Sequence, residues 1–304
     1  MTLVLKNLTK QYGSKTVVND LSFEVKEGSV FGFIGENGAG KSTTFRMILN
    51  IISSSSGQIL WKGSSSIDSN RIGYLPEERG LFPKKEVFSQ LLYLAKLKGL
   101  SKAEATKNVH YLLHKFKMEE YKNKKLEELS KGNQQKIQLL AAIAHEPDLL
   151  ILDEPFTGLD PLNTEFLKST IKELKQKGTT IIFSSHRMEN VEELCDEICI
   201  LKNGEIICQG NLNKLLNAVK EKKVVIKSIL QPEDLKKLRS LPGVLSVKTI
   251  EKNVFELTIE NENEMSNILT FLVNNNVPVI EFYLNKISLH EFFVKKVGKA
   301  NEKE

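Results

Sequence analysis

Apolar and polar residues alternate through the first 25 positions, with turn residues at 12–15, which predicts antiparallel strands. A continuous apolar run at 30–34 follows and is typical of a buried parallel strand. A helix is predicted beyond Lys41, because apolar positions recur there at the spacing of one helix face, namely Phe45, Ile48, Leu49 and Ile52. The serines and glycine at 53–57 are expected to end this helix.

The middle of the chain predicts further strands around a helical insert. Residues 87–118 return to helical spacing, and apolar runs at 149–152 and 179–183 are typical of buried strands. A helix is expected over 166–177, between those two runs. This order predicts an α/β sheet core with an antiparallel β subdomain before it and a helical subdomain over about 84–147.

Near residues 211–223 the composition shifts to lysine and asparagine, and we place a domain boundary there. The predicted domains are 1–215 and 221–304. Beyond the boundary the chain predicts a βαββαβ order and a last helix, with strands at 224–229, 244–250, 254–259 and 277–284 and helices at 232–240 and 264–274. That order is typical of a small α+β, ferredoxin-like domain.

The composition is that of a globular chain with a mild excess of positive charge: 40% of the 304 residues are hydrophobic and the net charge is +5. This excess suits phosphate ligands or an anionic membrane face and is no signature of nucleic-acid binding. No apolar run approaches the roughly 18 residues of a membrane span, and the N-terminus lacks a signal-peptide core, so we expect a cytoplasmic chain. Three cysteines make a disulfide framework improbable.

A glycine-rich segment, GENGAGKS at residues 35–42, fits the pattern G-x-x-x-x-G-K-[ST]. Its glycines allow the backbone N–H groups to turn toward phosphate oxygens, and the following helix presents its N-terminus to the same oxygens. Lys41 would add a positive charge at the β- and γ-phosphates, and the Ser42 hydroxyl would ligate Mg²⁺. The segment therefore predicts a nucleotide-binding loop.

Two carboxylates, Asp153 and Glu154, directly follow the apolar run 149–152. The carboxyl end of a strand in an open α/β sheet lies at the edge where ligands bind. Asp153 is expected to hold Mg²⁺ through water, and Glu154 to orient or deprotonate the attacking water. Together with the loop, this pair indicates phosphoryl transfer.

The segment LSKGNQQK at residues 129–136 resembles the signature sequence of ABC ATPases, which is Leu-Ser-Gly-Gly-Gln followed by Gln-Gln and a basic residue. The order of motifs is also similar to that family. After the loop, the signature and the two carboxylates come Gly158-Leu159-Asp160, in the place of the D-loop, and His186, in the place of the switch histidine. The resemblance covers roughly residues 1–215 and implies a P-loop NTPase core.

The resemblance implies a head-to-tail dimer with two ATP molecules at its interface, each held by the loop of one copy and by Ser130 and Gly132 of the other. It implies catalytic roles for Glu154, His186 and Lys41, and Mg²⁺ ligation by Ser42, Asp153 and Glu77. Tyr12 would stack on adenine. The implied nucleotide-binding residues are Tyr12, Gly35, Glu36, Asn37, Gly38, Ala39, Gly40, Lys41, Ser42, Thr43, Glu77, Ser130, Gly132, Asn133 and Asp160.

Three positions depart from the family pattern: Glu77 stands where glutamine is usual, Lys131 replaces a signature glycine, and Asn133 replaces the signature glutamine. Glu77 can still bond a Mg²⁺-bound water, but it adds negative charge near the triphosphate. These departures and the C-terminal extension resemble a bacterial subgroup linked to sodium and drug export. The resemblance therefore implies export.

An ABC ATPase of this kind is expected to act with an integral membrane permease and a second ATPase subunit, a copy of itself or a homologue, at the inner face of the cell membrane. Residues 77–87 would form part of the docking surface, with apolar contact from Leu81, Phe82 and Pro83. The alternative is a soluble ABC ATPase acting on ribosomes or DNA. The interval between loop and signature is too short for the long coiled coils of the DNA-repair members, and we expect no nucleic-acid partner.

Overall fold

The structure is a computed structural model that describes residues 3–65, 67–78, 80–219, 222–285 and 287–301, with side chains through Lys296. The chain forms two compact units with their boundary between Leu212 and Asn213, and the second unit runs to Lys295. The predicted domains, 1–215 and 221–304, stay a prediction. No helix among the described residues is long and apolar enough to cross a membrane.

A three-stranded antiparallel sheet opens the first unit, in the order β2-β1-β4. The strands are β1 (Leu3–Tyr12), β2 (Lys15–Val25) and β4 (Ser56–Trp61). Alternate residues at the start of β1 face the core, so Leu3 and Leu5 are fully buried while Val4 between them is half-buried. The antiparallel pair predicted from the alternating pattern is confirmed, and β4 was not predicted.

A six-stranded sheet forms the centre of the first unit, in the order β5-β6-β7-β3-β8-β9. All neighbours are parallel except β8 and β9. Because the parallel strands end at one edge, the residues that follow β3, β6 and β7 are brought together. The strands are β3 (Val30–Gly35), β5 (Ile72–Leu75), β6 (Leu149–Leu152), β7 (Thr180–Ser185), β8 (Glu197–Lys202) and β9 (Glu205–Asn211).

The helices of the first unit are α1 (Lys41–Ile48), α2 (Val87–Leu97), α3 (Lys102–Lys115), α4 (Lys131–Ile143), α5 (Pro161–Gln176) and α6 (Met188–Leu194), and α7 (Leu212–Asn217) spans the boundary. The predicted end of α1 was wrong. The helix stops at Ile48 because Asn50 adopts a left-handed conformation, and Ile52 packs against the core from a loop. Gly99, at a φ of 91°, divides the helical stretch at 87–118 into α2 and α3.

The second unit is a four-stranded antiparallel sheet in the order β11-β12-β10-β13. Helices α8 and α9 contribute Leu238, Ile268 and Leu272 to the apolar core that they share with the sheet. This topology confirms the ferredoxin-like prediction. The elements are β10 (Lys222–Ser228), α8 (Pro232–Arg239), β11 (Val244–Glu251), β12 (Val254–Ile259), α9 (Glu264–Asn274) and β13 (Val279–Asn285). A last helix, α10 (Leu289–Asn301), begins in this unit and continues beyond its end at Lys295.

Gly73 lies in β5 where helix α4 packs closely on the sheet, and a Cβ there would overlap the Ala142 carbonyl oxygen. We expect Gly73→Ala to destabilise the protein by about 1–3 kcal/mol, because backbone cannot move aside as a side chain can. Gly178→Ala is the comparison for backbone strain without a clash, since that glycine has open space around it but a φ of 92° that alanine rarely adopts. Urea unfolding midpoints would check this, and a midpoint of Gly73→Ala equal to that of the native chain would contradict it.

Candidate functional site

The glycine-rich loop lies between β3 and α1, at the edge of the sheet where the parallel strands end. Gly40 is the N-cap of α1 and has a φ of 102°, and a Cβ there would lie 2.8 Å from the Val17 carbonyl oxygen. Gly38 also has a positive φ, of 84°, and has open space around it. Both positions therefore require glycine, and the loop's curvature follows from them.

Lys41 is almost fully buried in this loop, with its ammonium group turned back on the loop's own backbone. Lys41 Nζ donates to the carbonyl oxygens of Gly35, at 2.7 Å, and Glu36, at 3.1 Å. Burial lowers the pKa of Lys41, and the charges of Glu154, Asp153 and Glu77 act in the opposite direction. The loop therefore holds a buried cation where carboxylates from other elements surround it.

Asp153 and Glu154 follow β6, and Ser184 of the neighbouring strand β7 connects them. The Ser184 hydroxyl donates to Asp153 Oδ1 at 2.6 Å and accepts the backbone N–H of Glu154 at 2.8 Å. All three residues are buried. One hydroxyl thus fixes the position of the first carboxylate and the backbone of the second.

Glu154 lies between a cation and an imidazole. Its backbone φ is 49°, in the left-handed region that a non-glycine residue rarely adopts. Its Oε2 lies 2.8 Å from His186 Nδ1. Its Oε1 is buried with no hydrogen-bond partner among the described residues and lies 4.0 Å from Lys41 Nζ. A buried carboxylate oxygen without a donor is costly, so it marks a place where a water or ligand donor can bind.

The residues expected to hold Mg²⁺ offer oxygen ligands, which this ion prefers. Ser42 lies in the first turn of α1 and Asp153 at the end of β6, both at the same sheet edge. Burial, together with the nearby charge of Asp153, raises the pKa of Tyr74 to about 12, so the phenol beside these carboxylates stays neutral. Glu77 is exposed, yet its charge reaches Lys41. This donor set fits the ion.

A second group of predicted residues gathers around the N-terminus of α4. Ser130 is the N-cap of α4, and its Oγ accepts the N–H of Asn133 at 3.3 Å. Asp160 is the N-cap of α5, and its carboxylate accepts both the backbone N–H and the side-chain amide of Asn163. A Cβ on Gly132 would come within 2.6 Å of that amide nitrogen, so the signature segment and the Asp160 turn pack directly together.

The remaining predicted residues line the loop or lie beside it. Tyr12 ends β1 with half of its surface exposed and has Lys10 Nζ 4.9 Å from its ring centroid. Within the loop, Ala39 is buried and Glu36 and Asn37 are exposed, while Ser42 and Thr43 in α1 are half-buried. Among the described residues, no hydrogen bond or ion pair joins Ser130 to the loop. The predicted residues thus form two separate groups.

Ser184 is a positioning residue that the sequence did not reveal, since a serine at the end of an apolar strand carries no motif. We expect Ser184→Ala to lower ATP turnover about 10- to 100-fold, because Asp153 and the Glu154 backbone would each lose a bond that orients them. Ser29→Ala is the control, because that buried hydroxyl donates to the Lys26 carbonyl before β3, at the other end of the strand from the loop. Turnover and its dependence on Mg²⁺ concentration would be measured, and unchanged values for Ser184→Ala would contradict this role.

Known families match both parts of the chain. Residues 18–157 match the family model described as ABC transporter. Residues 210–297 match the model described as ATP-binding protein DrrA1-3-like, C-terminal domain. Between them the two models span the glycine-rich loop, the signature segment, the two carboxylates and the ferredoxin-like unit.

Curated relatives align along almost the whole chain. The ABC transporter ATP-binding protein YhaQ of Bacillus subtilis is 47% identical over 302 residues, which cover 99% of this chain and 100% of the relative. The linearmycin resistance ATP-binding protein LnrL of Bacillus subtilis is 31% identical over 307 residues, covering 98% and 99%. A solved ATP-binding subunit of an ABC transporter matches with a TM-score of 0.67 at 34% identity, over 71% of this chain and 92% of that chain.

Proposed function

The chain belongs to the family of ABC transporter ATP-binding proteins and is an ATP-hydrolysing subunit of such a transporter, and we propose that it drives export through a separate membrane permease. Export is favoured because LnrL, which aligns along nearly the full chain, is named for resistance to linearmycin. The alternative, action on ribosomes or DNA, finds no support in the family models or the relatives. The cargo would be recognised by the permease.

The observation that carries the catalytic proposal is the Glu154 carboxylate between Lys41 and His186. Its unpartnered Oε1 would accept a proton from the attacking water, while His186 holds Oε2 at 2.8 Å. Lys41 would exchange its two carbonyl partners for phosphate oxygens when ATP arrives. We therefore assign Glu154 as the general base, His186 as its orienting partner and Lys41 as the phosphate ligand.

For the metal we propose Ser42 and Asp153 as the residues that hold Mg²⁺, with Glu77 acting through a water molecule. When bound, Mg²⁺ neutralises charge on the β- and γ-phosphates. The chain's own part is to keep these oxygens in place, and the Ser184 bond to Asp153 does this for the carboxylate. Tyr12, beside the loop, is proposed to stack on the adenine.

We propose that two ATPase subunits, copies of this chain or homologues, close on ATP head to tail. Ser130 is exposed, and its described contacts lie within α4, with Asn133 and Gln134. The first backbone N–H groups of a helix have no partner inside the helix, so this turn can bind the γ-phosphate of a nucleotide on another subunit. Asp160 and Asn163 pack against Gly132 and would hold this turn in place.

The permease is proposed to dock on residues 77–87, and the structure corrects one part of that surface. Leu81 is 8% exposed and belongs to the core, so it cannot supply the apolar contact. Phe82 is 59% exposed, and Pro83 beside it is also exposed. The subunit would then lie at the inner face of the membrane through this contact.

We expect Phe82→Asp to lower transport at least about tenfold while ATP binding stays near normal, because a charge replaces an apolar side chain at a buried contact. Tyr93→Asp is the matched control, since Tyr93 is a similarly exposed aromatic residue, at 56%, outside the docking segment. Transport into inverted membrane vesicles and nucleotide binding would both be measured. Normal transport by Phe82→Asp would remove this residue from the interface.

A further inference from the structure

Five lysines project from two adjacent segments of the first unit, residues 82–88 and 121–127. Together these segments contain five lysines against two glutamates, a net charge of +3. We call the five residues the lysine patch: Lys84, Lys85, Lys122, Lys124 and Lys125. Four of them are exposed and Lys122 is half-buried. Glu119 and Glu120 precede the second segment and Glu128 follows it, so the excess of positive charge is confined to the two segments themselves.

Backbone hydrogen bonds join the two segments into one rigid surface. The N–H of Val87 donates to the Lys124 carbonyl at 3.0 Å, and the N–H of Leu126 donates to the Lys85 carbonyl at 3.1 Å. The buried Gln90 side chain fixes the turn before α2, accepting from the Phe82 N–H and donating to the Lys85 carbonyl. The lysines are therefore held together by the fold.

The ammonium groups of the lysine patch are not neutralised. Within the described residues none of the five takes part in an ion pair. By contrast, the four lysines of α5 and its C-cap all pair with carboxylates, namely Lys168, Lys172, Lys175 and Lys177. Like charges held close together without paired carboxylates raise the local positive potential, and this potential attracts an external anion.

We propose that the lysine patch binds the anionic lipid headgroups of the membrane surface directly, in addition to any contact with the permease. Clusters of four to eight basic residues bind such surfaces, and lysine stems let the charges spread over many headgroups. The described patch contains no arginine, whereas protein interfaces are enriched in arginine and depleted in lysine. This composition favours lipid over a protein partner.

Nucleic acid is a poorer match for the same surface. Proteins bind single strands by stacking bases on open aromatic rings. Here Phe88 and Tyr121 each already carry an ammonium group, from Lys122 at 4.5 Å and from Lys124 at 5.0 Å. Phe82 is the one remaining aromatic ring of the two segments and is exposed, so the surface offers diffuse positive charge with a single open ring and no row of rings for successive bases.

The test uses the purified full chain without its permease, in cosedimentation with vesicles of phosphatidylcholine alone or enriched in phosphatidylglycerol. In the test variant all five lysines of the patch are replaced by glutamine. The control variant replaces five exposed lysines elsewhere and so changes the net charge equally: Lys6, Lys236, Lys237, Lys248 and Lys252. Basal ATP hydrolysis and the thermal unfolding temperature are measured for both variants, to confirm that each is folded.

We expect the native chain to bind phosphatidylglycerol vesicles and to leave them as salt rises, since these charges are screened at high ionic strength. The patch variant should bind at least about 30-fold more weakly, because each lysine near such a surface adds roughly fivefold to the affinity. The control variant should bind nearly as well as the native chain.

Four results would overturn the proposal. The native chain could fail to bind anionic vesicles. Both variants could lose vesicle binding equally, which would show that net charge alone explains the binding. The patch variant could instead bind vesicles normally but fail to assemble with the permease, which would make the patch a protein interface. Finally, it could lose affinity only for single-stranded oligonucleotides, which would identify a nucleic-acid surface.

Discussion

Replacing Glu154 by glutamine is expected to slow ATP hydrolysis by about 10²- to 10⁴-fold while leaving ATP binding intact. The amide keeps the shape of the side chain and can still hydrogen-bond to His186, but it cannot take a proton from water. It also removes one negative charge 4.0 Å from Lys41, near the place of the phosphates. Nucleotide would therefore bind at least as tightly, and the closed two-subunit state should accumulate.

Phosphate release and size-exclusion chromatography with ATP and Mg²⁺ would measure both effects in the Glu154→Gln variant. Glu189→Gln is the matched control, because Glu189 is an exposed carboxylate in the first turn of α6, close in sequence to His186. Turnover like that of the native chain would exclude Glu154 as the base. Slow turnover without any dimer would keep the base but contradict the proposed head-to-tail closure.

The elements around the loop were predictable because local sequence and fold agree there. The apolar run at 30–34, the glycines after it and the apolar face from Phe45 each demand one local structure. Buried strand β6 is apolar throughout, since parallel strands are covered on both faces, and Asp153 and Glu154 could be placed at its end. The ferredoxin-like order was equally predictable, because its strands and helices are separated by clear turns.

Strands β4, β8 and β9 were missed for a different reason. β4 and β9 are largely exposed or half-buried, so their apolar pattern is weak. β8 directly follows α6, and its apolar residues continue the helical run through Cys195. β4 pairs with β1 and β8 pairs with β3, each distant in sequence, and periodicity within a segment does not record such pairing. β9 pairs with its neighbour in sequence, β8, at the edge of the sheet.

The site was predictable in its residue types but not in its geometry. The motifs indicated Lys41, Glu154 and His186, yet the Ser184 bonds depend on how β6 and β7 lie side by side. The burial of Leu81 likewise depends on packing and not on its neighbours in sequence. The break at Gly99 had a readable signal, because Ser101 and Glu104 form a capping box at the start of α3.

Replacing Lys41 by alanine is expected to weaken ATP binding itself by about 100-fold or more. The Glu154→Gln variant, by contrast, should bind ATP and only hydrolyse it slowly. The ammonium group is the only lysine or arginine cation among the described residues within 4.0 Å of the Glu154 carboxylate. Without it, the carboxylates and the triphosphate would lose one compensating charge, and the Gly35 and Glu36 carbonyls would lose their hydrogen-bond donor. The Lys41→Ala variant should therefore be defective in ATP binding, the step that precedes hydrolysis.

Equilibrium binding of a fluorescent ATP analogue would measure this loss, with Lys62→Ala as the control. Lys62 is exposed and pairs with Glu27 on the surface, where an ion pair contributes little, so its removal should change affinity hardly at all. If Lys41→Ala bound ATP like the native chain but hydrolysed it slowly, the lysine would act only on the transition state.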